Sequence, residues 1–248
     1  MLTVALVGCG DSVSLDPVAK AAEVSSKQTS EHMSITASTT VGGKVVSFTG
    51  EGDFQNQPAL GSLTMSLPGQ ATNVVVIQKG STMYMTSAAF RSQLPGGKTW
   101  LAIDMEKIRK TLGVDSPSVS SQSPTDMLAA LRAAGDQVTK VGGETIDGIS
   151  TTHYTAVVDP ARIAKVNSAL GTAVGETVSY QPIDVWIDSS NLVHKMHLAY
   201  SMTGSALPST TNDMTMTFSQ YGEAVNVKVP PSWDTYDATA ATTSTLKP

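Results

Sequence analysis

The sequence predicts an α+β fold in which a meandering antiparallel sheet carries a few interleaved helices. Three observations lead there. Short segments that alternate apolar and polar residues recur along the chain, the period of half-buried strands. Turn-forming pairs separate them, including Gly42-Gly43, Lys79-Gly80 and Asp147-Gly148. Segments of helical period that open on an N-cap followed by proline lie between the strand groups. No long linker divides the 248 residues. One domain is therefore expected over 16–233, preceded by a tether at 1–15 and followed by a Thr- and Ala-rich tail at 234–248 whose composition reads as disordered.

The elements follow in order. Asp16-Pro17 starts a helix that runs to about Ser30. Strands at 33–37 and 45–49 flank Val41-Gly42-Gly43-Lys44, where Gly-Gly supplies the positive φ of a tight hairpin. Residues 63–67 alternate, and strands at 73–77 and 82–86 flank Lys79-Gly80. A short helix over 87–94 and a strand over 100–103 follow, then a helix over 104–112 with Met105, Ile108 and Leu112 at helical spacing. The polar segment 113–123 is a loop that could gate a cavity mouth. Ser123-Pro124 opens another helix with Met127, Leu128 and Leu131. Strands over 136–158 are broken at Gly142-Gly143 and Asp147-Gly148, and Asp159-Pro160 caps a helix ending at Gly171. Strands at 183–187 and 192–202 flank Ser189-Ser190, with 214–218 last. Val41-Gly42-Gly43-Lys44 and Val141-Gly142-Gly143-Glu144 echo one another, too briefly to make a repeat.

Hairpin geometry assigns the faces. A turn at Lys79-Gly80 sets Val76 against Met83 and Val74 against Met85. A turn at Ser189-Ser190 sets Ile187 against Leu192, Val185 against His194 and Ile183 against Met196, with Leu198, Tyr200 and Met202 continuing that face. The opposite face carries Lys195, His197, Ser201, Thr215, Thr217 and Ser219, so the sheet is apolar on one side and Ser/Thr-rich on the other. Of 11 methionines, Met33, Met65, Met83, Met85, Met196, Met202, Met214 and Met216 fall in predicted strands, although methionine is not a favoured strand residue. Each alone is an ordinary gap-filler; together they suit a surface that adapts to variable apolar ligands.

Composition excludes several functions. With 16 Lys plus Arg against 21 Asp plus Glu, the net charge is −5 and no basic stripe exists, so nucleic acid is not a partner. One cysteine excludes an internal disulfide and a cysteine metal cage. No apolar stretch is long enough to cross a bilayer as a helix. Residues 92–99 approach a phosphate-binding loop, but Ser92 replaces its first glycine and the segment precedes a strand rather than a helix, so it reads as a turn. No G-x-S-x-G elbow occurs. The histidines are His32, His153, His194 and His197. His194 and His197 face opposite ways on a strand and cannot chelate together; His194 reads as a hydrogen-bonded structural histidine. Asp16, Asp147, Asp159 and Asp188 sit at turns and caps, leaving no catalytic carboxylate pair. No enzyme and no cofactor are expected.

The lone cysteine points elsewhere. Leu6-Val7-Gly8-Cys9 resembles a bacterial lipobox, in which the thiol receives a diacylglyceryl group as a thioether anchor and the preceding signal peptide is removed. The ordinary alternative is a buried thiol in an N-terminal strand; the polar flank after Cys9 suits a tether better. No basic region precedes the short apolar run, which places the expected start of translation upstream.

Residues 136–154 (DQVTKVGGETIDGISTTHY), 184–196 (DVWIDSSNLVHKM) and 214–230 (MTMTFSQYGEAVNVKVP) together resemble actinobacterial lipoproteins of the LppX/LprG type. The resemblance spans about 30–231 and rests on strand-turn words, not catalytic ones. It implies a LolA/LolB-like half-barrel, a strongly curved antiparallel sheet with helices packed on its concave face around an apolar cavity. It further implies a protein anchored through Cys9 on the extracytoplasmic side of the cell membrane. Such a protein binds lipid or glycolipid acyl chains and carries them to the cell envelope, and the resemblance leaves open an envelope transporter as partner. Val74, Val76, Met83, Met85, Ile183, Val185, Met196 and Leu198 are the expected cavity lining. The alternative is a LolA-fold sensor that regulates a partner and carries no lipid; a cell-wall hydrolase is a weaker third reading, since no catalytic constellation is present.

Overall fold

The computed structural model describes residues 17–67, 69, 72–112, 135–158, 176–204 and 209–246. The strands are β1 (Ser30–Val41), β2 (Lys44–Gln55), β3 (Leu60–Ser66), β4 (Val74–Lys79), β5 (Thr82–Ser87), β6 (Trp100–Asp104), β7 (Gly135–Ile146), β8 (Ile149–Val158), β9 (Glu176–Tyr180), β10 (Ile183–Asp188), β11 (Val193–Gly204), β12 (Thr210–Ser219) and β13 (Thr235–Asp237). The helices are α1 (Pro17–Ser26), α2 (Met105–Leu112) and α3 (Thr239–Leu246). All strands join one sheet in the order β13-β6-β5-β4-β3-β2-β1-β12-β11-β10-β8-β7, with β9 added beside the far end of β11. Only the β13–β6 pair is parallel. Among the described residues β7 and β13 do not meet, so the sheet is open.

Glycine lets β2 and β3 approach one another closely. Gly50 and Gly52 pair with Ile35 and Met33, on the face of the sheet that carries Met33. A Cβ added at Gly52 would lie 1.9 Å from the Ser62 carbonyl oxygen, and one at Gly61 2.4 Å from the Phe54 ring. Glycine in a strand interior marks such a close backbone approach. The core lies where α1 seats Val18, Ala21 and Ala22 on Ile183, Val185, Met196, Met216 and Phe218. Small residues on α1 let the helix sit close to the sheet. Ser25 fastens its end by accepting the Val193 backbone N–H at 3.0 Å. α1 stops at Ser26, four residues before the expected Ser30, because Ser30 is the first residue of β1.

Several expectations need correction. The first hairpin turn beyond β3 is Gly80-Ser81, not Lys79-Gly80: Lys79 pairs with Thr82 and Val76 with Met85, and Gly80 takes φ +57°. The later hairpin closes with a longer loop. Asp188 Oδ1 accepts the N–H groups of Ser190 and Leu192 at 2.8 and 2.9 Å, Asn191 takes φ +62°, and Val185 pairs with Met196 rather than His194. Asx turns of this kind extend a loop without any glycine. Gly142-Gly143 does not break the sheet but belongs to β7, just past a bulge between Lys140 and Gly142. Its echo Gly42-Gly43 is a true hairpin turn with φ of +55° and +79°. The expected helix at 87–94 is reduced to 3-10 turns at Arg91–Gln93 and Pro95–Gly97. The gating loop at 113–123 and the helices beginning at Pro124 and Pro160 lie outside the described residues, as does Cys9.

The expected disordered tail is ordered through 246, so structure continues past the expected domain end at 233. β13 pairs with β6, and Ala238 donates its N–H to the Ala102 carbonyl at 2.9 Å. Thr239 is buried and works twice: its N–H is capped by Asp237 Oδ1 at 2.9 Å and its hydroxyl accepts the Asp104 N–H at 3.0 Å. α3 then packs on α2. Low-complexity composition hid this, because the stabilising contacts are long-range hydrogen bonds rather than apolar periodicity.

Candidate functional site

Register gathers the apolar side chains of successive strands on one face of the sheet. The row Leu101, Met85, Val76, Leu63, Gly52, Met33 and Phe218 runs through successive paired positions from β6 to β12. Met196 pairs with Met216, Leu198 with Met214, and Val185 with Met196 and Tyr154, carrying the face on to β8. All eight sequence-predicted lining residues stand on this face, since both hairpins differ from the expected register by two residues and a two-residue shift preserves side.

The face divides into two halves. Ile183, Val185, Met196 and Leu198 are 2%, 0%, 1% and 4% exposed, filled in by α1. They form packed core. Val74, Val76, Met83 and Met85 are only half-buried, and so are Leu63, Met65, Leu101 and Ile103 beside them. The last four were missed as lining, although the alternation in 63–67 was visible; residues 100–103 are apolar at every position and show none. Leu63 packs against the buried cluster and bridges the halves.

Polar groups stand where the face reaches the far ends of β11 and β12. Tyr200 pairs with Asn212 and with Tyr180, and the two phenol rings lie 5.6 Å apart. Burial pushes the Tyr180 phenol up to about 12, with Tyr200 adding to it, and burial likewise raises Tyr200. Both stay neutral. Thr39 donates its hydroxyl to Asn212 Oδ1 at 2.8 Å. No sequence signal singled out Asn212, which sits in a Thr/Asn/Asp run that reads as solvated.

The outer face holds a charged ladder across five strands, β7, β8, β10, β11 and β12. His153 stacks on Trp186 at 4.3 Å, and Lys195 lies 4.3 Å from the same ring. Trp186 Nε1 donates to Glu144 at 2.8 Å. Asp184 meets His153 Nε2 at 2.9 Å and the Thr155 hydroxyl at 2.7 Å, and His197 Nε2 meets Asp213 at 3.1 Å. His194, on the inner face, meets Asp188 at 3.0 Å and is 6% exposed, a structural pairing as its sequence position suggested. No cluster of three or more His, Cys, Asp or Glu among the described residues is arranged to hold a metal ion.

Burial alone would raise the Asp184 carboxyl, but the Thr155 and His153 hydrogen bonds and the nearby histidine charge outweigh it and hold the group below its usual value. A depressed folded-state carboxyl stabilises the fold above the unfolded value and loses that contribution as pH falls through the folded one. The urea midpoint of the wild type is therefore expected to drop below about pH 4. Asp184→Asn should be less stable at neutral pH and show a shallower acid limb. A limb of unchanged steepness would mean that the ladder contributes nothing.

The fold and this face define a class: an open, curved antiparallel sheet with one continuous apolar side. The LppX_LprAFG lipoprotein family model matches residues 13–227, and the chain belongs to that family. It is 28% identical to an uncharacterized 31.2 kDa protein of Streptomyces griseus, covering 89% of this chain and 79% of that one. It is 27% identical to a protein of Streptomyces coelicolor named as a lipoprotein, covering 81% and 67%. Among solved structures, LprF from Mycobacterium bovis aligns with a TM-score of 0.52 at 16% identity over 86% of this chain and 95% of that one. LppX from Mycobacterium tuberculosis aligns at 0.50 and 21% identity over 86% and 100%. These two likenesses establish the fold.

Proposed function

We propose that this protein is a membrane-anchored lipoprotein of the extracytoplasmic face that holds acyl chains of a lipid or glycolipid on its concave sheet and carries them to the cell envelope. The observation that supports this most is the half-open apolar surface of β3 to β6, formed by Leu63, Met65, Val74, Val76, Met83, Met85, Leu101 and Ile103. Burying a methylene is worth about 0.8 kcal/mol, so an acyl chain gains enough there without charged or catalytic groups. Membership in a lipoprotein family supports Cys9 as the thioether anchor. Binding and hand-over, not catalysis, is the activity in this reading.

Native mass spectrometry of the protein isolated from its host tests the cargo, and Cys9→Ala tests the anchor. The expected wild-type spectrum carries a co-purifying lipid, and the variant is expected to leave the membrane fraction. The second reading, a sensor without cargo, is favoured by the packed half under α1, where Ile183, Val185, Met196 and Leu198 are buried. An empty protein in which the β3–β6 surface is covered by the chain itself would decide for the sensor.

A further inference from the structure

We propose that Asn212, flanked by Tyr200 and Thr39, is a hydrogen-bonding subsite for the carbonyl oxygen of an acyl lipid, at the junction between head and chain. This rests on the lipid-binding reading above and adds to it the orientation of the ligand.

Asn212 stands on the apolar face, in line with Met214, Met216 and Phe218. Among the described residues, two buried side-chain nitrogens have no hydrogen-bond partner, His153 Nδ1 and Asn212 Nδ2. His153 Nδ1 has the Glu144 carboxylate 3.2 Å away, in contact though in no hydrogen-bond geometry. Asn212 Nδ2 has no such counterpart. The Thr39 hydroxyl donates to Oδ1, and the NH2 group is left as a buried, unanswered donor. Burying a donor without an acceptor is costly, and a native fold tolerates it where something else completes the bond.

The surroundings select the acceptor. Next to Asn212 on this face are Tyr200 and, one strand further, Tyr180, with Thr39 on the other side. The nearest carboxylate in sequence, Asp213, points to the outer face and meets His197. The tier is thus polar and uncharged, which suits an ester or amide carbonyl better than a phosphate. One step along lie Ala37 and Phe48, paired with each other, and beyond them the half-open surface at Met65 and Val74. A carbonyl held at Asn212 would lead its acyl chain across β1 and β2 onto that surface.

The experiment compares a dipalmitoyl diester phospholipid with its dihexadecyl ether analogue, which lacks both carbonyls, by displacement of a fluorescent acyl probe from the full chain. Wild type is expected to bind the diester about tenfold more tightly, the worth of one net hydrogen bond in a dry site. Asn212→Leu should erase that preference while leaving the ether affinity unchanged. Equal affinities in wild type overturn the subsite whatever the variant does. Equal loss of both lipids in Asn212→Leu overturns it too, assigning the amide to structure. A wild type that displaces the probe with neither lipid overturns the lipid-binding reading itself, and the subsite with it.

Discussion

Gly52→Ala is expected to cost on the order of 4 kcal/mol or more, enough to unfold most of the protein. The added Cβ would sit 1.9 Å from the Ser62 carbonyl oxygen and 2.9 Å from the Leu63 Cα. All three atoms belong to backbone or are fixed rigidly to it, so no rotamer change relieves the overlap. Relief requires β2 and β3 to separate, which would break the pairing that sets Gly52 between Met33 and Leu63. Gly142→Ala is the matched control. It makes the same change in a strand, where an added Cβ meets nothing within 4 Å, and should alter stability by well under about 1 kcal/mol. Urea unfolding of the two variants side by side decides the matter: equal midpoints would mean that the close approach of β2 and β3 does not depend on this glycine.

The same glycine illustrates what could be read from the sequence. Alternation in 63–67, 73–77, 82–86 and 183–202 was enough to assign sides, because the strand period is two and any even error in register leaves each side chain where it was. Turn chemistry was harder. Gly80 was recognised as a turn residue but not as the first of the turn pair, and the loop after β10 depends on the Asp188 side chain, whose two backbone acceptances have no compositional signature. Gly50, Gly52 and Gly61 carry no signal in the sequence pattern, and their purpose appears only when the partner backbone is in place. The C-terminal segment failed for a related reason. The Asp237 cap on Thr239 is local, but Thr239 also bonds Asp104 across 135 residues of sequence, and propensity does not register such a contact.

For the candidate site, polarity was legible and accessibility was not. Val185 and Val76 are indistinguishable by pattern, yet one is sealed by α1 and the other half-open. The difference comes from Val18, Ala21 and Ala22, which fill only the β10–β12 side. An apolar face therefore does two jobs at once: one half holds the fold together, and the other is left with less to cover it.

That division predicts opposite outcomes for the same substitution at two positions. Met85→Asp, on the half-open side between Val76 and Leu101, should fold, because a carboxylate there can still reach water. Met196→Asp, 1% exposed and packed among Val185, Met216 and Phe218, should not, because an unpaired charge would be sealed in. In Met85→Asp an acyl chain laid over the surface must strip water from the new carboxylate. A penalty of about 3 kcal/mol corresponds to roughly a hundredfold weaker binding. Thermal midpoints, lipid co-purification and displacement of a fluorescent acyl probe measure the three consequences, with Met85→Leu as a volume-conserving control that should bind as wild type does. If Met85→Asp folds and retains full affinity, the acyl chain does not lie on β4 to β6, and the half-open surface serves some other contact.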